Sequence, residues 1–242
     1  LQIVASNQRP EMRQMAAILL RKKLSRLWGP LADDVKTQIQ TLLVQLINTE
    51  QVRVVTYNLA ELVVTVAKLT VSIAKWPALL NQILQWTQSQ SELHREVGFF
   101  LINELIVYYI NDETKEVLIK QTVALIAQTL STPSPVRLKT QAIRCFCTVA
   151  AFFETREDFA IFNAVIPHIT TALQECVQQS NESEYCDIID TICDLVSDTD
   201  KYGEYRDAVL QVFDPLLAFI FEAAKNRGVD PAIRQASLLF VD

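Results

Sequence analysis

Glycine and proline are scarce in this chain, whose 242 residues include only four glycines and eight prolines. Folds built from strands and tight turns depend on both residues, so their scarcity argues against an all-β protein. Half of the residues are hydrophobic, and leucine, alanine, valine and isoleucine recur at helical spacing. The composition therefore predicts an all-α fold with ample apolar surface for a packed core.

Residues that build catalytic and metal sites are also sparse. The two histidines, His94 and His168, have no cysteine or acid at ligand spacing. The sequence contains neither a Gly-x-Gly phosphate loop nor a Gly-x-Ser-x-Gly nucleophile motif. We therefore predict a protein that is not an enzyme and that uses neither a cofactor nor a metal.

Cysteine pairing signals and membrane-spanning runs are missing as well. The five cysteines are odd in number and none has Cys-x-x-Cys spacing, which favours reduced, buried thiols in an intracellular protein. The longest apolar run, residues 97–110, contains Asn103 and Glu104 and is too short to span a bilayer. We expect no secretion signal and no membrane partner.

The net charge of −6 is unevenly distributed. Residues 1–36 are rich in lysine and arginine, whereas residues 175–204 hold nine acids and a single lysine. The acidic total argues against direct nucleic-acid binding, which depends on clustered cations that neutralise phosphates. It is compatible with a basic protein partner.

A repeat of 40 to 49 residues is the dominant pattern, and each copy contains two helical segments. The equivalent positions are Arg13, Arg53, Arg95, Arg137, Cys186 and Arg234, separated by steps of 40, 42, 42, 49 and 48. A period of this length with two helices per unit predicts a HEAT-repeat α-solenoid of antiparallel helix pairs. The predicted repeats are 1–28, 32–74, 77–110, 113–154, 157–199 and 203–242. We predict one continuous array whose apolar ends, at residues 1–4 and 238–241, indicate a fragment of a longer solenoid.

The repeat register predicts a row of exposed residues on the second helices. On the predicted helix 50–74, Tyr57, Glu61, Val64 and Lys68 lie opposite the apolar side. The positions equivalent to Glu61 are Arg21, Asn103, Cys145 and Asp194. A merely solvated surface is the alternative interpretation of this row.

An acidic ridge is predicted on the helix 182–199. Asp187, Asp190 and Asp194 are spaced three and four residues apart, so they share one side, and Asp198 extends it. A basic partner would relieve their repulsion, although a solvated acidic face that keeps the array soluble is equally compatible.

The recurring arginine has a structural interpretation. We expect it to join adjacent repeats by hydrogen bonds to the turns between helices, rather than to bind phosphate. Cys186 in place of arginine predicts a different joint between the fourth and fifth repeats.

Several blocks of sequence resemble the importin-β (karyopherin-β) superfamily, in the amino-terminal part of a nuclear import receptor. They are SNQRPEMRQMAAILLRKKLSRLW near the start, KWPALLNQILQWTQSQSELHREVGFFLINELI around residues 75–106, YCDIIDTICDLVSD, and AKNRGVDPAIRQASLLFV near the end. The resemblance implies a right-handed superhelix with first helices on the convex side and second helices on the concave side. It also implies a protein that shuttles between cytoplasm and nucleus.

The resemblance further implies three kinds of partner. Second helices of the first repeats would bind the GTP form of the small GTPase Ran, and the predicted contacts are Arg21, Tyr57, Glu61, Phe99 and Asn103. Outer helices would bind FG-repeat nucleoporins weakly. Basic cargo proteins, such as histones or ribosomal proteins, would bind mainly to later repeats, and here to Asp187, Asp190 and Asp194. The alternative is a HEAT-repeat scaffold of another class, such as a phosphatase scaffold or a coat adaptor.

Overall fold

The computed structural model describes residues 9–70, 76, 78–111 and 113–241. These residues form α-helices and one 3-10 helix but no strand, which confirms the all-α prediction. In chain order the helices are α1 (Pro10–Leu27), α2 (Asp33–Thr49), α3 (Arg53–Leu69), α4 (Ala78–Thr87), α5 (Glu92–Tyr109), α6 (Lys115–Ser131), α7 (Val136–Ala150), α8 (Arg156–Gln179), α9 (Glu182–Ser197), α10 (Arg206–Lys225) and α11 (Pro231–Val241). The 3-10 helix, Asp198–Tyr205, lies between α9 and α10.

The helices divide into two compact units, one ending at Thr114 and the other beginning at Lys115. In the first unit, α1 packs on α3 and α3 packs on α5, while α2 and α4 pair with α3 and α5. In the second unit, α7, α9 and α11 form one layer and α6, α8 and α10 form the other. Each unit is therefore a stack of antiparallel helix pairs, as a HEAT-type period predicts.

The predicted helix bounds need correction in several places. The predicted helix 203–226 begins only at Arg206, because Gly203 has a φ of 53° and interrupts regular helix geometry. The helix predicted at 135–154 is shorter in the structure, where α7 ends at Ala150. The predicted helical stub 1–7 and the end of the predicted helix 50–74 lie outside the described residues.

Local signals define several helix ends. The Ser91 hydroxyl accepts a hydrogen bond from the backbone amide of His94 at the start of α5. Thr155 and Asp158 form a reciprocal capping box at the start of α8. Such caps satisfy backbone amides that have no partner inside the helix.

Apolar residues at helical spacing fill the interior of each unit. In the first unit, Leu43, Val55, Leu59 and Leu62 are essentially inaccessible to solvent. In the second unit, seven rings form an aromatic cluster where α7, α8, α10 and the 3-10 helix meet: Phe146, Phe153, Phe159, Phe162, Tyr202, Tyr205 and Phe213. Tyr205 lies at the partly exposed edge of this cluster. Burying each of the fully buried side chains contributes about 1.5–3 kcal/mol, so these residues stabilise their units strongly.

Exposed apolar side chains gather on α1 and α11. Met12, Met15 and Leu19 follow one side of α1, and Leu238 and Leu239 are exposed on α11. Among the described residues α1 has no preceding first helix to cover this side. No helix in the described part of the chain combines the length and apolarity required to cross a bilayer.

Candidate partner-binding surfaces

Three arginine–glutamate pairs, two in the first unit and one in the second, link a second helix to the repeat that follows it, and we call them the inner row. Arg13 donates to Glu50 at 2.8 Å, and Arg137 donates to Glu184 at 2.9 Å. Arg53 pairs with Glu96 in the same way. The side chains of Glu50, Glu96 and Glu184 are 9%, 1% and 6% exposed, respectively.

The inner row supports the structural interpretation of the recurring arginine, with a difference in the partner. Arg13, Arg53 and Arg137 bond to carboxylates, and Arg234 donates to a backbone carbonyl, that of Ala224, at 3.4 Å. Removing the arginine would be costly because it leaves a buried carboxylate without its countercharge. The inner row is therefore part of the stacking itself.

Burial shows how closely the Glu50 carboxylate is held. Desolvation alone would raise its pKa, but the Arg13 guanidinium and the backbone amides of Val52 and Gln51 outweigh that effect. The pKa of Glu50 is consequently lowered, which means that the charged form is the one the fold stabilises.

The predicted joint at Cys186 needs correction. The fourth and fifth repeats are joined by the ordinary inner-row pair, Arg137 with Glu184. The different joint comes one repeat later, where the Tyr185 hydroxyl bonds to the Ser237 hydroxyl at 2.7 Å in a fully buried position. In the inner row, the arginine of one repeat pairs with a glutamate of the next repeat. Cys186 takes the place of the arginine in the fifth repeat, so the joint that changes is the one between the fifth and sixth repeats.

Three further ion pairs join the same helices nearer to solvent, and we call them the outer row. Lys68 bonds to Glu104 and Arg144 bonds to Asp187, each at 3.0 Å, and Arg21 pairs with Glu61. Side-chain exposure in all six residues is between 35% and 42%. Ion pairs with this exposure contribute only about 0.2–1 kcal/mol, so a partner could compete for their members.

The predicted Ran-binding residues fall into two groups. Arg21 and Glu61 lie together in the outer row, and Asn103 is half-buried on α5. Tyr57 is half-buried, and its ring packs edge-on against that of Phe100 with centroids 5.6 Å apart. Phe100 was not predicted, because the run Phe99-Phe100-Leu101 has no periodicity that distinguishes one ring from the other.

The prediction that Phe99 is available for partner contact is wrong for this structure, because its side chain is 0% exposed. Helix α4 approaches α5 so closely at Gly98 that the middle of α5 is buried on several sides. Val64 and Cys145, which the register placed in the exposed row, are buried too. Of the predicted row, Arg21, Glu61 and Asn103 are therefore half-buried but accessible in the first unit, whereas Cys145 in the second unit is buried.

The acidic ridge is accessible to solvent on α9, but its aspartates differ in exposure and in pairing. Asp187 is engaged by Arg144, whereas Asp190 and Asp194 are exposed and paired with no cation of the described residues. Burial and then these aspartates raise the pKa of the Cys193 thiol, a local sign of their negative potential. The side chain of Asp198 lies outside the described residues.

Two of the five thiols, Cys145 and Cys176, are buried as predicted, whereas Cys147, Cys186 and Cys193 are only half-buried. Burial raises the pKa of Cys145, and burial with the nearby Glu184 and Glu175 raises that of Cys176 to about 12. A thiol with a raised pKa is a poor nucleophile at neutral pH. No group of three or more metal-ligating side chains is assembled within residues 9–70, 76, 78–111 and 113–241.

A shallow cavity of about 330 Å³ opens between the first helices α8 and α10. Its lining mixes apolar and polar side chains: Val177, Phe219, Glu222, Ala223, Lys225, Asn226 and Val229. A cavity of this size and composition could accept one apolar side chain of a peptide.

Family models match the chain along most of its length. The model described as the importin-beta N-terminal domain matches residues 1–49, and the model described as IPO5-like TPR repeats matches residues 51–203.

Curated relatives include Importin-4 of Homo sapiens, 24% identical over 233 residues, and Importin-4 of Mus musculus, 23% identical over 228 residues. These alignments cover 96% and 93% of this chain but only 20% of either relative. The probable importin subunit beta-4 of Schizosaccharomyces pombe is 26% identical over 119 residues, covering 45% of this chain and 11% of the relative. The chain thus spans about a fifth of the Importin-4 proteins.

Solved structures of Kap121p share the fold. Kap121p alone and Kap121p bound to Nup53p each superpose with a TM-score of 0.74 at 17% sequence identity. Kap121p bound to Pho4p gives a TM-score of 0.74 at 16% identity. Each comparison covers 98% of this chain and 22% of Kap121p. The likeness establishes a karyopherin-type HEAT-repeat fold.

Proposed function

The chain belongs to the importin-β family, and we propose on that premise that it is part of a nuclear transport receptor that carries basic protein cargo through the nuclear pore. The observation that carries the proposal is the match of two consecutive importin family models to residues 1–49 and 51–203. The receptor acts by binding rather than by catalysis and shuttles between cytoplasm and nucleus. A HEAT-repeat scaffold of another class has no comparable support.

Ran in its GTP form is the proposed partner of the first unit. Its surface would comprise Arg21, Glu61 and Asn103 with the half-buried ring of Tyr57, and we add Phe100 because its ring packs against that of Tyr57. Half-exposed ion pairs and aromatic edges suit a protein partner, since aromatic residues and arginine are enriched at interfaces. Phe99 is not part of this proposal.

Nucleotide-dependent binding tests the Ran proposal. Full-length receptor is titrated with Ran loaded with GTP and, separately, with GDP. We expect tighter binding of the GTP form. We expect Glu61→Lys, which places a second positive charge beside Arg21, to weaken this binding about tenfold.

The matched control is Glu116→Lys, which reverses an exposed acid on α6 that already pairs with Lys120. Equal affinity for both nucleotide forms contradicts the Ran proposal as a whole. If Ran-GTP binds more tightly than Ran-GDP but Glu61→Lys leaves the affinity unchanged, the assignment of Glu61 to the Ran-binding surface is wrong.

The acidic ridge is the proposed contact for basic cargo in the second unit. Asp190 and Asp194 provide uncompensated negative charge, and Asp187 is shared with Arg144. We therefore expect the double variant Asp190→Asn/Asp194→Asn to weaken binding of a lysine-rich histone-tail peptide severalfold, and Asp187→Asn to weaken it less. Fluorescence anisotropy at two salt concentrations measures both effects.

The control for the ridge is Asp207→Asn, which removes an exposed acid at the start of α10. The ridge variant removes two charges and Asp207→Asn removes one. If Asp207→Asn changes the binding free energy by half as much as the ridge variant, the peptide senses only net charge, and that result would refute a local site.

FG-repeat nucleoporins are the proposed partners of the cavity between α8 and α10. Both are first helices, which the family resemblance assigns to the outer surface, and the cavity has room for a phenylalanine side chain beside Phe219. Kap121p, which has the same fold, has been crystallised bound to Nup53p and to Pho4p. That other solenoid's ability to bind proteins supports the proposal for this chain.

A further inference from the structure

An exposed aromatic residue and a carboxylate form a compact cluster at the C-terminal end of α5. Tyr108 is 48% exposed and its neighbour Val107 is 47% exposed, whereas Tyr109 is buried. Glu104 lies one helical turn before Tyr108 on the same side. About half of the Tyr108 and Val107 side chains is therefore accessible to a partner.

The cluster already holds a cation supplied by the chain itself. The Lys68 ammonium, from α3, donates to Glu104 at 3.0 Å and lies 5.9 Å from the centre of the Tyr108 ring. A carboxylate together with an aromatic face is a standard arrangement for recognising an ammonium or guanidinium group. The geometry of a bound cation is therefore visible within the first unit.

We propose that Glu104, Tyr108 and Val107 form a subsite for a lysine or arginine side chain of a protein partner, and that Lys68 is its resting occupant. Val107 is exposed one helical turn after Glu104, so it suits an apolar residue next to the partner's cation. Lys68 is 39% exposed and Glu104 is 35% exposed, which means that an incoming cation can reach the carboxylate without unfolding either helix. Lys68 then acts as a competitor that the partner must displace.

The subsite extends the surface proposed for Ran, and to that extent it rests on the proposed function. Glu104 directly follows Asn103 on α5, and Lys68 lies two turns after Glu61 on α3. A partner that engages Glu61 and Asn103 would thus meet the subsite on the same two helices. Displacing Lys68 would also break its ion pair with Glu104, which links α3 to α5. Partner binding would therefore be coupled to how tightly these two helices pack.

Removing the competitor is the decisive test. In full-length receptor, Lys68→Gln is expected to tighten binding of Ran-GTP about twofold to fivefold. The reason is that the partner's cation no longer has to displace Lys68 from Glu104, and an ion pair with this exposure weakens binding by about that factor. Glu104→Gln and Tyr108→Ala are expected to weaken binding by a similar factor. Tyr108→Phe should retain wild-type affinity, because the ring face and not the hydroxyl holds the cation.

The matched control is Lys120→Gln, which removes a cation from the exposed pair with Glu116 on α6 and should leave affinity unchanged. Weaker binding by Lys68→Gln would show that Lys68 itself contacts the partner, and would overturn the proposal. Unchanged affinity of Lys68→Gln would overturn it too. If Tyr108→Phe loses as much as Tyr108→Ala, the hydroxyl and not the ring is recognised, which also contradicts the subsite.

A second probe separates this inference from the Ran proposal. An eight-residue peptide of alternating lysine and glycine supplies ammonium groups without any Ran surface, and its binding to the same variants is measured by titration with isotope-edited NMR. Chemical-shift changes at residues 104–108 that grow in Lys68→Gln and disappear in Glu104→Gln support the subsite even if Ran does not bind. A peptide that leaves these residues unperturbed in every variant overturns the subsite, whatever the outcome with Ran.

Discussion

Replacing Phe162 by alanine is expected to lower the free energy of unfolding of the second unit by about 3–5 kcal/mol, the range for truncating a buried aromatic residue. Phe162 is completely buried at the centre of the aromatic cluster. Its ring lies 5.4 Å from that of Phe146 and 5.6 Å from that of Phe153, both edge-on. It also contacts Tyr202 and Phe213.

The expected size follows from the number of neighbours that would lose contacts at once. Edge-on aromatic pairs contribute about 0.5–1.5 kcal/mol each beyond their buried area. Because helices of different repeats meet at this cluster, they cannot all move inward to fill the space that the ring leaves. The resulting loss is a large part of the 5–15 kcal/mol that stabilises a typical domain.

Urea denaturation monitored by circular dichroism measures this effect. The control is Phe221→Ala, which truncates a 41% exposed phenylalanine on α10 and should cost well under about 1 kcal/mol. A loss of similar size in both variants would show that the cluster is not the centre of stability in this unit. The functional consequence is that α9, which carries the acidic ridge, should lose its support in Phe162→Ala.

Adding one methyl group at Gly98 is expected to destabilise the first unit by about 1–3 kcal/mol, as overpacking of a close contact does. A Cβ at this position would lie 2.7 Å from both the Cγ2 atom and the backbone nitrogen of Thr87. Thr87 is the last residue of α4, and its hydroxyl donates to the carbonyl of Leu84 at 2.8 Å. Backbone atoms cannot rotate away, so α4 and α5 would have to separate.

The sign of this effect is informative because helix propensity alone predicts the opposite. In a helix interior, alanine is more favourable than glycine by about 0.8–1 kcal/mol, so an uncrowded Gly98→Ala would stabilise α5. Thermal and urea unfolding of Gly98→Ala should instead show a loss, and Gly98→Val a greater one. Gly29→Ala is the control, since no atom lies within 4 Å of its added methyl group. A Gly98→Ala variant as stable as wild type would contradict the close approach of the two helices.

The effect of Gly98→Ala should extend to binding. Helix α5 carries Asn103, Glu104 and Tyr108, so a shift of α5 away from α4 would displace all three relative to Glu61 and Lys68 on α3. Ran-GTP affinity measured below the unfolding transition should therefore fall in Gly98→Ala but not in Gly29→Ala.

Sequence periodicity was sufficient for the helices and their pairing. Steps of 40 to 49 residues between equivalent positions predicted antiparallel pairs, and helices such as α2 and α8 begin and end within a few residues of the predicted bounds. The reason is that an apolar stripe with a period of 3.6 residues is a local property, which each helix must have in order to pack. The same logic located the acidic ridge, because residues three and four apart share one side of any helix.

Exposure at single positions depended on how closely neighbouring helices approach. Phe99 and Cys145 occupy register positions equivalent to exposed residues, yet both are fully buried. Residue spacing along one helix specifies direction, but the depth of burial depends on the neighbouring helix, as at Gly98 beside Thr87. Phe100, which is half-buried, packs its ring edge-on against that of Tyr57.

The amino-acid sequence by itself determined the class of fold, the repeat, the family resemblance and the types of residue offered to partners. Tertiary structure decided which charges remain available. It assigned Arg53 and Arg137 to buried carboxylates, paired Asp187 with Arg144, and left Asp190 and Asp194 exposed. It also brought Lys68 to Glu104 and Tyr108. Ion pairs between residues some forty positions apart form only when helices are stacked, and for that reason no local pattern could distinguish a charge that holds the stack from one that awaits a partner.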